Sequence, residues 1–241
     1  MENKTLITTM TGEPLQPVRI HYELLDRKTL LRKFNNLRCI ALDAKRGRWV
    51  WEYRGEAARL TFQQSRADLP REHRDIVLGS FYLKHERELV LDVKSFDRAT
   101  KAIVFFDRYI PRTAARVTEV SVCNRLFGAV AEVPEDFDAL FSRPDVDHID
   151  PDALVEKAKQ LDQAAPDIEQ RRMALFSEMV EHAKRPLVEL ERFPANYYDE
   201  GIEYLETCLK MKFEIAWEHF QGNPSFSFND LLKRQLGTGL D

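Results

Sequence analysis

The chain has 241 residues, 44% of them hydrophobic and 32% charged, which is too apolar for a disordered chain and too charged for a membrane protein. No stretch supplies the ~20 uncharged apolar residues that a membrane-crossing helix needs. The polar start Met1-Glu-Asn-Lys-Thr also lacks the apolar core of a secretion signal, so a cytoplasmic protein with no membrane partner is expected.

The three cysteines, Cys39, Cys123 and Cys208, are far apart and lie in apolar segments. An odd count without CxxC spacing excludes a disulfide framework and a thiolate metal cage, and leaves three small buried side chains. The formal net charge of −4 conceals a division of the chain. Residues 1–131 carry 24 Lys/Arg and 16 Asp/Glu, a net of +8, while residues 132–241 carry 12 and 24, a net of −12. Such asymmetry points to nucleic acid or another polyanion as partner of the basic half, or to attraction between the halves.

The first sixteen residues read as a loose polar tail. Val18, Ile20, Tyr22 and Leu24 then alternate with Arg19, His21 and Glu23, the period of a half-buried strand. Asp26 is a plausible N-cap for a helix over 26–36 carrying Leu30, Leu31, Phe34 and Leu37 on one face. A strand over 39–43, the turn Lys45-Arg46-Gly47-Arg48 and a return strand follow, with Trp49, Trp51 and Tyr53 on one face. Gly55 permits a further reversal into the alternating Ala58, Leu60 and Phe62. A loop containing Pro70 leads to strands near 75–83 and 88–94. Ser95 caps a helix that Pro111 stops, and a strand over 114–123 completes this part. Tyr22-Glu-Leu-Leu-Asp-Arg is echoed by Val93-Lys-Ser-Phe-Asp-Arg, each leading from strand to helix, a short match that suggests two related halves.

The character then changes. Asp150-Pro151-Asp152 reads as a helix start, with a cap, a proline at the first helical position and acid at the positive end. A long helix is expected over 167–192 from the seam Met173, Phe176, Val180, Ala183, Leu187 and Leu190, with Pro186 kinking or splitting it. A second helix, capped by Asn196, is expected to run to Phe220 with two apolar stripes, Ile202/Leu205/Leu209/Phe213 and Tyr204/Cys208/Met211/Ile215. Residues 226–241 add a short amphipathic helix. The expected fold is therefore α+β. A basic sheet domain over 17–131, mainly antiparallel with helices on one face, precedes an acidic all-helical domain over 132–241 built on a long αα-hairpin.

Glu178 and His182, facing Glu214, Glu218 and His219 across the hairpin, are the one candidate metal cluster. The Glu-x-x-His pairs of di-metal bundles are missing, so no metal and no cofactor are expected. His73, His85 and His148 each have acids nearby, but no nucleophile elbow, zinc-helix pair, Walker loop or dinucleotide fingerprint accompanies them. The remaining pattern is a basic turn beside an aromatic strand. Lys45, Arg46, Arg48 and Arg54 are the candidate anion-binding or nucleic-acid-binding residues, because cations beside aromatic platforms hold single strands. Packing Trp49, Trp51 and Tyr53 as core is the competing expectation. The sequence thus favours a non-catalytic binding or regulatory protein whose basic domain engages an anionic partner. The alternatives are an enzyme with its site between the two parts and an interaction scaffold acting through the helical hairpin. The second stripe of the last long helix needs cover, either from the sheet part or from a homodimer.

Overall fold

The computed structural model describes residues 5–70, 75–150, 156, 159–160 and 167–237. Its centre is one eight-stranded sheet: β1 (Val18–Leu24), β2 (Ile40–Asp43), β3 (Arg48–Glu52), β4 (Val77–His85), β5 (Glu88–Val93), β6 (Ala115–Cys123), β7 (Asp147–His148) and β8 (Leu190–Pro194). The strand order is β2-β3-β4-β5-β1-β6-β8-β7, antiparallel throughout except for the parallel β7–β8 pair. The fold is mixed α+β with a mostly antiparallel sheet.

Local chemistry accounts for the helices on one face of this sheet. In α1 (Arg27–Asn36) the Asp26 side chain accepts from the Thr29 N–H at 3.0 Å, and Leu30 and Phe34 are buried. In α2 (Phe96–Tyr109) Ser95 caps the Arg98 N–H at 3.1 Å, and a face running from Ala99 through Phe106 is buried. The strands turn Val18, Ile20, Leu91, Val93, Phe81 and Val120 toward these helices, and this layer is the main core. Trp51 is fully buried there, its ring 5.1 Å from Phe106 and 5.6 Å from Phe105. Trp49 is half-buried against Phe34, and Tyr53 is buried. The aromatic strand is therefore core, and it presents no stacking platform. Gly79 stands beside Trp51 in register, and a Cβ there would lie 2.8 Å from the Asp92 carbonyl oxygen and from Val93 Cγ1.

Several expectations are corrected, beginning with the loose tail: Thr11, Glu13, Leu15 and Gln16 are buried. Ala58, Leu60 and Phe62 form no strand: after Gly55, at φ +56°, the chain makes a 3₁₀ turn over Gly55–Arg59 that buries Ala57. The Tyr53 hydroxyl then donates to the Leu60 carbonyl at 2.6 Å. The helix expected over 167–192 stops at Ala183 as α4 (Ile168–Ala183), because Pro186 cannot continue it. Residues beyond it form β8, which pairs with β6, so the acidic part is not all-helical and contributes two strands to the sheet. Asn196 takes a left-handed conformation at φ +49° and leads into the single turn α5 (Tyr197–Glu200). Gly201 separates this turn from α6 (Ile202–Phe220). The two long helices exist, but α6 packs on α2 and places Leu205 and Leu209 in the main core. The expected helix start at 151–155 and His73 lie outside the described residues. Beyond α3 (Phe137–Phe141), a final helix α7 (Phe228–Leu236) begins with a capping box between Ser227 and Asp230. Among the described residues no helix is long and apolar enough to cross a membrane.

The opposite face of the sheet carries a second, smaller core at its β6–β8 end. Leu15, Cys123, Phe127, Leu140, Val146 and Leu190 meet there beneath α3 and its flanking segments. The rest of that face is largely polar, with Val50 and Val90 among its buried side chains, and it holds the candidate site.

Candidate functional site: the polar face of the sheet

Because side chains alternate across a strand, the residues between the core positions all emerge on the far face. Register aligns them in a row that crosses six strands. Ser80 pairs with Asp92, Asp92 with Arg19, Arg19 with Ser121, Ser121 with Arg192 and Arg192 with His148. Four members of the row are buried: Ser80, Asp92, Arg19 and Ser121. The Arg19 guanidinium donates to Asp92 through Nε at 2.7 Å and Nη2 at 2.8 Å, and its Nη1 reaches Asp138 of α3 at 2.8 Å. Its plane lies 5.8 Å from the centre of the Phe141 ring. Lys84 adds a second cation to Asp138, so α3 is tied to the sheet by charge-assisted contacts. Burial lifts the Asp92 carboxyl above its ordinary range against the pull of Arg19, while the Asp92 and Asp138 carboxylates raise the Arg19 guanidinium further despite its burial. The Arg19 guanidinium, which keeps its proton in proteins, meets the Asp92 carboxyl in a bidentate contact.

A hydrogen-bonded chain of another kind leaves this row at Ser121. Ser121 Oγ lies 2.9 Å from His21 Nε2, and His21 Nδ1 lies 3.3 Å from Glu88 Oε1. The order serine, histidine, carboxylate is that of a hydrolase triad. Two observations remove it from that role. Ser121 is 1% exposed, and the adjoining cleft is lined by Arg19 but by neither His21 nor Ser121. Burial, together with the neighbouring Arg192 and Arg19 guanidinium groups, also lowers the His21 pKa to about 3, outweighing Glu88. A neutral imidazole this reluctant to accept a proton is a poor general base near pH 7.

A cleft of about 920 Å³ opens over β3, β4, β5 and β1 on this face. Its floor is Arg19, Arg48, Ser80, Tyr82, Asp92 and Lys94; its walls are the 8–10 and 75–77 segments and the acidic 135–138 segment. Arg48 is fixed by Asp43, 3.1 Å from its Nε, and by the Ser80 hydroxyl, 3.2 Å from its Nη1. At one end Arg98 is buried, with Nη2 donating to Thr11 at 2.7 Å and its charge opposed by the buried Glu13.

Of the four cations singled out from the sequence, the structure brings only Arg48 to this cleft. Lys45 and Arg46 sit exposed in the β2–β3 turn, and Arg54 pairs with Glu52. Arg19, Asp92, Ser80, Tyr82 and Lys94 were not among the sequence candidates. The described members of the candidate metal cluster do not come together. Glu218 and Glu214 pair with Arg234, His219 Nε2 lies 2.8 Å from the Phe226 carbonyl, and the side chains of Glu178 and His182 lie outside the described residues. Among the described residues no group of three or more His, Cys, Asp or Glu could hold a metal ion. His85 and His148 are exposed at strand ends.

Comparison with protein-family models, with curated proteins and with solved structures finds no significant match to this chain.

Proposed function

We propose that the chain is a non-catalytic binding protein whose polar sheet face takes a small anionic ligand. The observation that carries this reading is Arg48, a guanidinium held in plane by Asp43 and Ser80 at the floor of this cleft of about 920 Å³, with N–H donors to spare. Lys94, exposed in the same floor and without an ion-pair partner among the described residues, supplies a second charge. Arg19 has Nε and both terminal nitrogens engaged by Asp92 and Asp138, so it positions the floor rather than the ligand.

The acidic wall favours a small ligand over a long one. Glu135, Asp136 and Asp138 repel a long phosphodiester strand laid across the cleft, while a compact anion can sit beneath them on Arg48 and Lys94. A nucleic-acid reading keeps only the exposed Lys45 and Arg46, since Trp51 and Tyr53 are core. The homodimer reading rests on the Tyr204/Cys208/Met211/Ile215 stripe alone, because the Leu205/Leu209 stripe of α6 is covered by α2 and the core of the same chain. A reducing compartment, the cytoplasm, suits three free thiols; burial pushes those of Cys39 and Cys123 up to about 12 and about 11.

Calorimetric titration with pyrophosphate and citrate at low ionic strength tests the proposal. Wild type should bind one of them, and Arg48→Ala should weaken that binding by about tenfold or more, the loss of a charge-assisted contact. Binding that survives Arg48→Ala unchanged, or binding of long oligonucleotides alone, would overturn it.

A further inference from the structure

The second apolar stripe of α6, Tyr204, Cys208, Met211 and Ile215, forms one wall of a cavity of about 470 Å³ beside the β7–β8 edge, and the rest of its lining includes the end of α4 at Ala183, the Pro186-Leu187-Val188 turn that follows it, and Phe228 at the start of α7. That volume falls within the range of small-molecule sites. Polar groups are few and their charges cancel. At the floor, buried Glu191 has both oxygens satisfied, Oε2 by Lys212 Nζ at 2.5 Å and Oε1 by Asn124 Nδ2. At the rim, exposed Arg185 and exposed Asp147 contribute one charge of each sign.

From these walls and this balance we infer that the cavity is a second binding site, for an uncharged and largely apolar small molecule. A ligand carrying a net charge would enter an apolar space whose own ions are already paired, and would lose hydration without compensation. The ammonium of Lys212 makes one charged contact, with Glu191, and faces the Phe193 ring with its centroid 5.2 Å away. An ammonium has three N–H groups, so Lys212 retains a donor for one hydroxyl or carbonyl oxygen of the ligand. The site is independent of the anion cleft, which lies on the other face of the sheet and shares no lining residue with it.

Three probes of equal chain length and different head charge test this: decanol, decanoate and decylamine, titrated into the full chain by calorimetry. Decanol should bind about tenfold or more tightly than either ion. The methyl resonances of Met211 and Ile215 should shift as it binds. Met211→Trp, which fills the space, should abolish the heat while leaving the melting temperature unchanged or higher. If that variant does not fold, the wild-type methyl shifts still decide the location. Tighter binding of either ion would overturn the ligand class. The site itself would be overturned by an absence of heat and of methyl shifts, or by a wild-type dimer in light scattering that Met211→Trp dissociates.

Discussion

Arg19 and Asp92 face each other across β1 and β5 in register, joined by two parallel hydrogen bonds of 2.7 and 2.8 Å, on the sheet face opposite α1 and α2. Both are more than nine-tenths buried, at 6% and 8% exposure, because α3 and the 8–15 segment lie over them. Removing one partner strands a buried charge. Arg19→Met or Asp92→Leu alone should each cost about 3–5 kcal/mol, while the double variant should recover most of that loss. Urea unfolding of the four proteins gives the coupling energy, and additive losses would show that the pair is not coupled.

Trp51 anchors the main core between β3 and the α2 rings Phe105 and Phe106. Trp51→Ala should destabilise by about 3–5 kcal/mol, as large aromatic truncations in cores do. Native-state acrylamide should leave Trp51 unquenched while reaching Trp217, which is 39% exposed. A variant as stable as wild type would return Trp51 to the surface.

Protonation of His21 sets an acid limit. Its folded pKa of about 3 lies below the ordinary 6.5, so between those values the unfolded chain binds the extra proton. The contribution of this site is complete above about pH 6.5 and is lost progressively as pH falls toward about 3. The slope is at most about 1.4 kcal/mol per pH unit. Unfolding free energy followed across that window should fall less steeply in His21→Asn than in wild type. Identical slopes would place the acid lability elsewhere.

Most strands and helices between Val18 and Cys123 were legible because period-two alternation and capping residues are local signals. Strand β8 was not: Leu190 and Phe193 fit a helical seam as well as a strand, and what decides is the exposed edge of β6, far away in sequence. The site was legible only at Arg48, which stands beside a glycine turn. Arg19 and Asp92 sit at alternate positions that normally face water, and no local pattern announces the α3 cover that buries them. Their signal is opposite charges brought together by the β1–β5 register, and that register is known only once the strands are paired.

On the proposed function, Arg48 and Lys94 hold a small anion on the polar sheet face. Chemical-shift mapping of the ¹⁵N-labelled chain with pyrophosphate tests it most directly. Saturable shifts centred on Arg48, Ser80, Tyr82 and Lys94, in the cleft floor, are expected. Shifts confined to the exposed Lys45–Arg46 turn and erased by modest salt, or no shifts at all, would contradict it.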